Sequence, residues 1–129
     1  MNLEVKLIAG FILHFFGDYL LQNDWMAAEK TKNSGVALAH AGIYSMPFFL
    51  LAPSFWWLLI FGTHFFIDRY RLAQYWTRLV NWKWDGDNFG FSSEKPKWMS
   101  VWLLIIVDNT FHIIFNSTAI YLHNLKYLS

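Results

Sequence analysis

The chain has 129 residues, of which 56% are hydrophobic, 21% aromatic and only 15% charged, with a formal net charge of +1. A soluble domain carries about 25% charged residues, so the composition points to a membrane protein of one domain over residues 1–129, and the near-neutral balance gives no reason to expect nucleic acid as a partner. Cysteine is absent, which excludes disulfides, thiolate metal sites, iron–sulfur clusters and cysteine nucleophiles.

A helix needs about 20 mostly apolar residues to cross the hydrocarbon core of a bilayer. Four segments approach this, at about 3–22, 35–52, 54–70 and 98–125. The first begins Met1-Asn2-Leu3-Glu4-Val5-Lys6 and lacks the basic start and small-residue cleavage site of a secretory signal, so it is expected to stay as a span. Gly35 opens the second, and Pro47 should kink it, because proline cannot donate to the helix ladder. Pro53-Ser54 makes a tight turn to the third. Leu72 to about Val80 is then the third helix running out as an amphipathic extension along or beyond the interface, within an interfacial or cytoplasmic segment over about 72–97. Its surroundings mix Trp76, Trp82 and Trp84 with Arg78, Lys83, Asp85 and Asp87, as suits the headgroup region. Asp85 to Gly90 reads as a turn. The fold expected is therefore all-α: an integral membrane four-helix bundle with an interfacial extension after the third helix.

Loop charge sets the orientation. Lys30, Lys32, Arg69, Arg71, Arg78, Lys83, Lys95 and Lys97 fall on one side, against Lys6 and Lys126 on the other. The positive-inside rule places the eight in the cytoplasm and both termini outside, in a cell's inner (cytoplasmic) membrane.

Inside these spans lie seven ionisable residues: His14, Asp18, His40, His64, Asp68, Asp108 and His112. Each costs about 2.5–3.5 kcal/mol at membrane depth on insertion scales, so the set needs a reason. His14 and Asp18 are four apart, as are His64 and Asp68, and Asp108 and His112 in reverse order. Four-residue spacing puts each pair on one helix face. The fourth helix runs opposite to the first and third, so the reversal places all three acids nearer the cytoplasm and their histidines deeper. His40 lies level with the acids, with Tyr44 one turn later.

Mixed imidazole and carboxylate donors suit zinc, manganese or iron, and six of them (His14, Asp18, His64, Asp68, Asp108, His112) are enough for one or two divalent ions. A bound cation keeps buried carboxylates ionised. It also polarises phosphoryl oxygens and activates water. His40 is either a seventh ligand or a general base. Asp24 either caps the short stretch after it or reaches the site as a further catalytic acid. Arg69 and Arg71 follow Asp68 and can hold a substrate phosphate. Membrane lipids are the expected partners, a lipid phosphate or phosphodiester the expected substrate, and hydrolysis the expected reaction; a homo-oligomer stays open.

Three other readings compete. His and Asp chains in membranes also relay protons or carry metal ions, which would need a path onward through Asn116 and His123. The set could be purely structural in a phage or bacterial membrane-interaction protein. Facing histidines can bind haem, but three neighbouring acids argue against it.

The segment His14-Phe15-Phe16-Gly17-Asp18-Tyr19-Leu20-Leu21-Gln22-Asn23-Asp24-Trp25-Met26-Ala27 carries a resemblance, together with Lys30 and Lys32, His40, His64-Phe65-Phe66-Ile67-Asp68, and Asp108 with His112. These residues resemble a family of small multi-pass membrane proteins of bacteria and their phages, known only as a domain of unknown function. The resemblance covers most of the chain and implies several spans, but no activity. The ligand types are also similar to those of membrane-bound metal-dependent hydrolases, which implies a metal and a hydrolytic reaction.

Overall fold

Three asparagines start three helices. In the computed structural model, which describes residues 1–126, the Asn2 side chain accepts from the Val5 N–H at 3.0 Å and opens α1 (Leu3–Phe15). Asn23 accepts from the Met26 N–H at 2.9 Å and opens α2 (Asp24–Glu29). Asn33 accepts from Gly35 and Val36 and opens α3 (Ser34–Ser45). Each cap satisfies amide donors that the first helical turn leaves unpaired.

Two helices change pitch at their ends. α1 runs into a π-helical turn, Phe16–Leu20, where the Leu21 N–H reaches back five residues to the Phe16 carbonyl at 3.1 Å. α3 tightens into a 3-10 segment, Met46–Leu50, at the point where Pro47 removes a donor. α4 (Phe55–Tyr70) ends at Arg71, whose left-handed backbone (φ 53°) redirects the chain into α5 (Leu72–Val80). α6 (Lys97–Leu125) closes the bundle.

α3 packs on α4, and α6 packs on α1, α4 and α5. The buried core is Tyr44, Phe48, Leu51, Ala52, Ile60, Ala119 and Ile120. Gly10 lets α1 approach α6, since a Cβ there would stand 2.6 Å from the Ile120 Cδ1. α5 docks on α6 through the edge contact of Trp76 with Phe111. The tryptophan-rich segment after it folds back: the Thr77 hydroxyl donates to the Phe89 carbonyl, and the Asn88 amide donates to the Ser92 and Lys95 carbonyls.

The described residues form helices and no strand, as expected, but residues 72–80 are a separate helix, α5, and not a run-on of the third, because the left-handed Arg71 breaks the helix between them. Of the four expected spans, α6 alone is long and apolar enough to cross a membrane by itself, with a mean hydropathy of 1.6 over an 18-residue stretch. α1 and α3 end early in the pitch changes described, and α4 has 16 residues.

A candidate metal centre

Four elements deliver side chains to one point between them. Asp18 comes from the π-helical turn, His40 from α3, His64 and Asp68 from α4, and Asp108 and His112 from α6. The four histidines His14, His40, His64 and His112 are 0–1% exposed, and Asp18 and Asp68 are 6% and 5% exposed.

The inner group is compact. His40 Nε2 lies 3.1 Å from Asp18 Oδ1, 3.2 Å from Asp68 Oδ2 and 3.0 Å from His64 Nε2. His64 Nε2 lies 3.4 Å from Asp18 Oδ1 and 3.1 Å from Asp68 Oδ2. Donors about 2.0–2.1 Å from one tetrahedral ion stand roughly 3.3 Å from each other. The five separations match the edges of such a tetrahedron. Hydrogen bonding alone accounts for them poorly, because each Nε2 has a single proton or lone pair and faces both carboxylates and the other nitrogen at once.

A second group shares Asp68. His112 Nε2 lies 3.2 Å from Asp68 Oδ1 and 3.3 Å from Asp108 Oδ2. Both groups bring their donor atoms close enough to hold a metal ion. An oxygen–nitrogen donor set without thiolate suits zinc, manganese or iron.

The site opens on a cavity of about 380 Å³. Asp18, Asp68 and Asp108 line it and none of the histidines does, so the acids face the cavity and the imidazoles lie behind them. Lys30 and Arg71 line the same cavity. Lys30 reaches in from the end of α2: its Nζ donates to Asp68 Oδ2 at 2.8 Å and lies 3.4 Å from His40 Nε2. Burial works against the Lys30 ammonium, but the Asp68 and Asp18 carboxylates more than offset this and hold its pKa above the ordinary lysine value.

His14 stands apart from the donor groups. Its Nε2 meets Asn109 Oδ1 at 2.9 Å, an atom that only accepts, so Nε2 carries the proton and donates. Nδ1 is then the acceptor, and the Tyr44 hydroxyl donates to it at 2.9 Å. That hydroxyl accepts in turn from Asn116 Nδ2 at 2.6 Å. Both ring nitrogens of His14 are committed to this chain, although Nδ1 is also 3.5 Å from Asp18 Oδ2. The Tyr44 ring stacks on His64 at 3.6 Å and 15°. Gly17 makes room for it, since a Cβ there would meet the ring at 2.5 Å.

Two more expected site residues lie elsewhere. Arg69 donates to the Thr31 carbonyl and the Ser34 hydroxyl, tying the α2–α3 connection to α4. Asp24 is exposed at the first position of α2, whose cap is Asn23. Conversely, Lys30 counted in the sequence only as loop charge and within the motif resemblance, and Asn109 not at all. Asn109, His112 and Asn116 recur at three- and four-residue steps on one face of α6, a signal that was available.

Comparison with curated proteins gives no match, and comparison with solved structures gives none either. Residues 6–127 match the model of a family described as Protein of unknown function (DUF3307), so the chain belongs to that family.

Proposed function

We propose that this is a multi-pass protein of the cytoplasmic membrane and a metal-dependent hydrolase of a phosphate ester at headgroup level. Four helical hairpin arms, residues 3–20, 34–50, 55–70 and 97–125, are the spans of this reading. α4 is about 24 Å long at 1.5 Å per residue, short of the roughly 30 Å core, and tolerable where the bilayer thins locally. The exterior supports a lipid setting: Ile8, Ile12, Leu50, Phe55, Leu58, Trp102 and Ile106 all stand exposed. Exposed large apolar side chains on every one of these arms are what a lipid-facing surface requires. The cationic connections face the cytoplasm and both termini face outward.

The observation that carries the chemistry is the cavity wall. Three carboxylates backed by histidines share it with Lys30 and Arg71. Acids with histidines hold a cation; a lysine and an arginine beside them receive an anion with several oxygens. Asp18, His40, His64, Asp68, Asp108 and His112 hold the metal. When bound, it polarises the phosphoryl oxygen and lowers the pKa of water. Lys30 and Arg71 bind and orient the phosphate. In the reaction, the oxygen of water forms the new bond to phosphorus and the bond from phosphorus to the lipid alcohol oxygen breaks. The water proton ends on that alcohol.

A carrier role has less support. The polar chain from Asn109 through His14 and Tyr44 stops at Asn116. Beyond it Phe48, Ile60, Ala119 and Ile120 are part of the buried apolar core.

The test is release of inorganic phosphate from vesicles containing phosphatidic acid by purified, reconstituted protein. Release that stops with a chelator, returns with zinc or manganese, and disappears in Asp68→Asn supports the reading. No release with any of the metals, or release unchanged in Asp68→Asn, overturns it.

A further inference from the structure

Asp68 is common to both donor groups. Its two oxygens divide between them: Oδ2 faces His40 and His64, and Oδ1 faces His112. We propose that Asp68 bridges two divalent ions, one on each carboxylate oxygen, and that the two positions have different roles. This rests on the metal-centre reading given above and commits it to a pair.

The first position has four protein donors: His40, His64, Asp18 and Asp68 Oδ2. All four residues are buried, and the tetrahedral edges are complete but for the one between the two acids. A closed tetrahedron of protein donors is the pattern of a structural ion. The second position has three: His112, Asp108 and Asp68 Oδ1. The Asp108 side chain is 30% exposed and lies on the cavity wall. Three protein donors and one open direction are the pattern of a catalytic ion. A shared carboxylate suits ions about 3.5–4 Å apart, the spacing used to clamp phosphoryl groups.

Lys30 is compatible with the pair. A carboxylate oxygen has two lone pairs, so Asp68 Oδ2 can meet an ion on one and the Lys30 ammonium on the other. Two divalent ions outweigh the three carboxylates, and Lys30 and Arg71 add to the excess. The cavity then favours a phosphomonoester dianion over a phosphodiester. The open direction of the second position is where its oxygen docks.

Manganese is the probe. Detergent-purified protein is stripped with chelator, dialysed against Mn²⁺, counted by elemental analysis and examined by electron paramagnetic resonance. Two ions per chain with an exchange-coupled spectrum are expected. Asp108→Asn and, independently, His112→Gln should each retain one ion and show an uncoupled six-line spectrum. Size-exclusion elution and circular dichroism identify variants that remain folded, and two variants guard against one failing. A single ion in folded wild-type protein, unchanged by either substitution, overturns the pair and leaves the metal centre standing. Two ions without coupling overturn the Asp68 bridge. No ion at all overturns both readings.

Discussion

Replacing Tyr44 with Phe separates a structural role for His14 from a metal-binding one. The hydroxyl is the middle of the chain Asn116–Tyr44–His14–Asn109, with contacts of 2.6 Å to Asn116 and 2.9 Å to His14. Its loss leaves the Asn116 amide without an acceptor and His14 Nδ1 without a donor, in residues 3% and 0% exposed. Each orphaned buried group costs about 1–3 kcal/mol. Some of this is recoverable, because Asp18 Oδ2 lies 3.5 Å from Nδ1 and can take it over if the ring changes tautomer. That change would set Nε2 against the Asn109 oxygen. A net loss of about 2–4 kcal/mol follows. The ring stack on His64 does not involve the hydroxyl, so the donor groups keep their places. Unfolding by titration of denaturing detergent in mixed micelles measures the loss, and metal content is read on the same samples. In a double-mutant cycle, Asn116→Ala should cost less in the Tyr44→Phe background, with a coupling of about 0.5–3 kcal/mol. A loss below about 0.5 kcal/mol, well under the cost of even one orphaned group, would refute the reasoning; so would a fall in bound metal.

The two neighbouring arginines should behave differently. Arg71→Ala raises KM for a phosphate ester with little change in stability, whereas Arg69→Ala loosens the α2–α3 connection, costs about 1–3 kcal/mol for a charged hydrogen-bond pair, and leaves KM alone. Lys30→Met removes the ammonium from Asp68, and because the Lys30 pKa is raised its contribution is complete below the ordinary lysine value and declines only as pH climbs through the raised one. The stability deficit of Lys30→Met should therefore be flat between about pH 6 and pH 9; a deficit that fades across that window contradicts the pairing. Since the chain has no cysteine, single replacements report topology cleanly: Lys32→Cys and Lys83→Cys should label only from the cytoplasmic side, and labelling of either from outside in intact cells reverses the assigned orientation.

The helix periodicity made much of the site legible. Four-residue spacing on α4 and α6, combined with opposite chain direction, is enough to bring His64, Asp68, Asp108 and His112 together with acids facing the cavity. The amphipathic character of the α5 segment and the change of pitch at Pro47 follow from local chemistry in the same way. The spacing of His14 and Asp18 carries the same signal, yet His14 is drawn into a hydrogen-bond chain. Its partners Tyr44 and Asn109 are 30 and 95 residues away in sequence, and no local pattern reports them. The π-helical turn at Asp18 depends on a change of hydrogen-bond register that apolar periodicity does not encode. Arg69 and Arg71 look equivalent in sequence, but the left-handed backbone at Arg71 turns it toward the cavity side while Arg69 stays on α4. Lys30 reached the site because the short helix α2 tucks beside the bundle, a tertiary event invisible in a charge count.

Metal content of the protein purified in mild detergent tests the central claim most directly. Folded wild-type protein is expected to hold zinc, manganese or iron in at least equimolar amount through gel filtration, and His64→Ala, which removes a fully buried donor, to lose it while eluting at the same volume. Folded wild-type protein that stays free of metal after dialysis against each of the three ions, or a His64→Ala variant that binds as much as the wild type, would contradict the assignment of this His/Asp cluster as a metal centre.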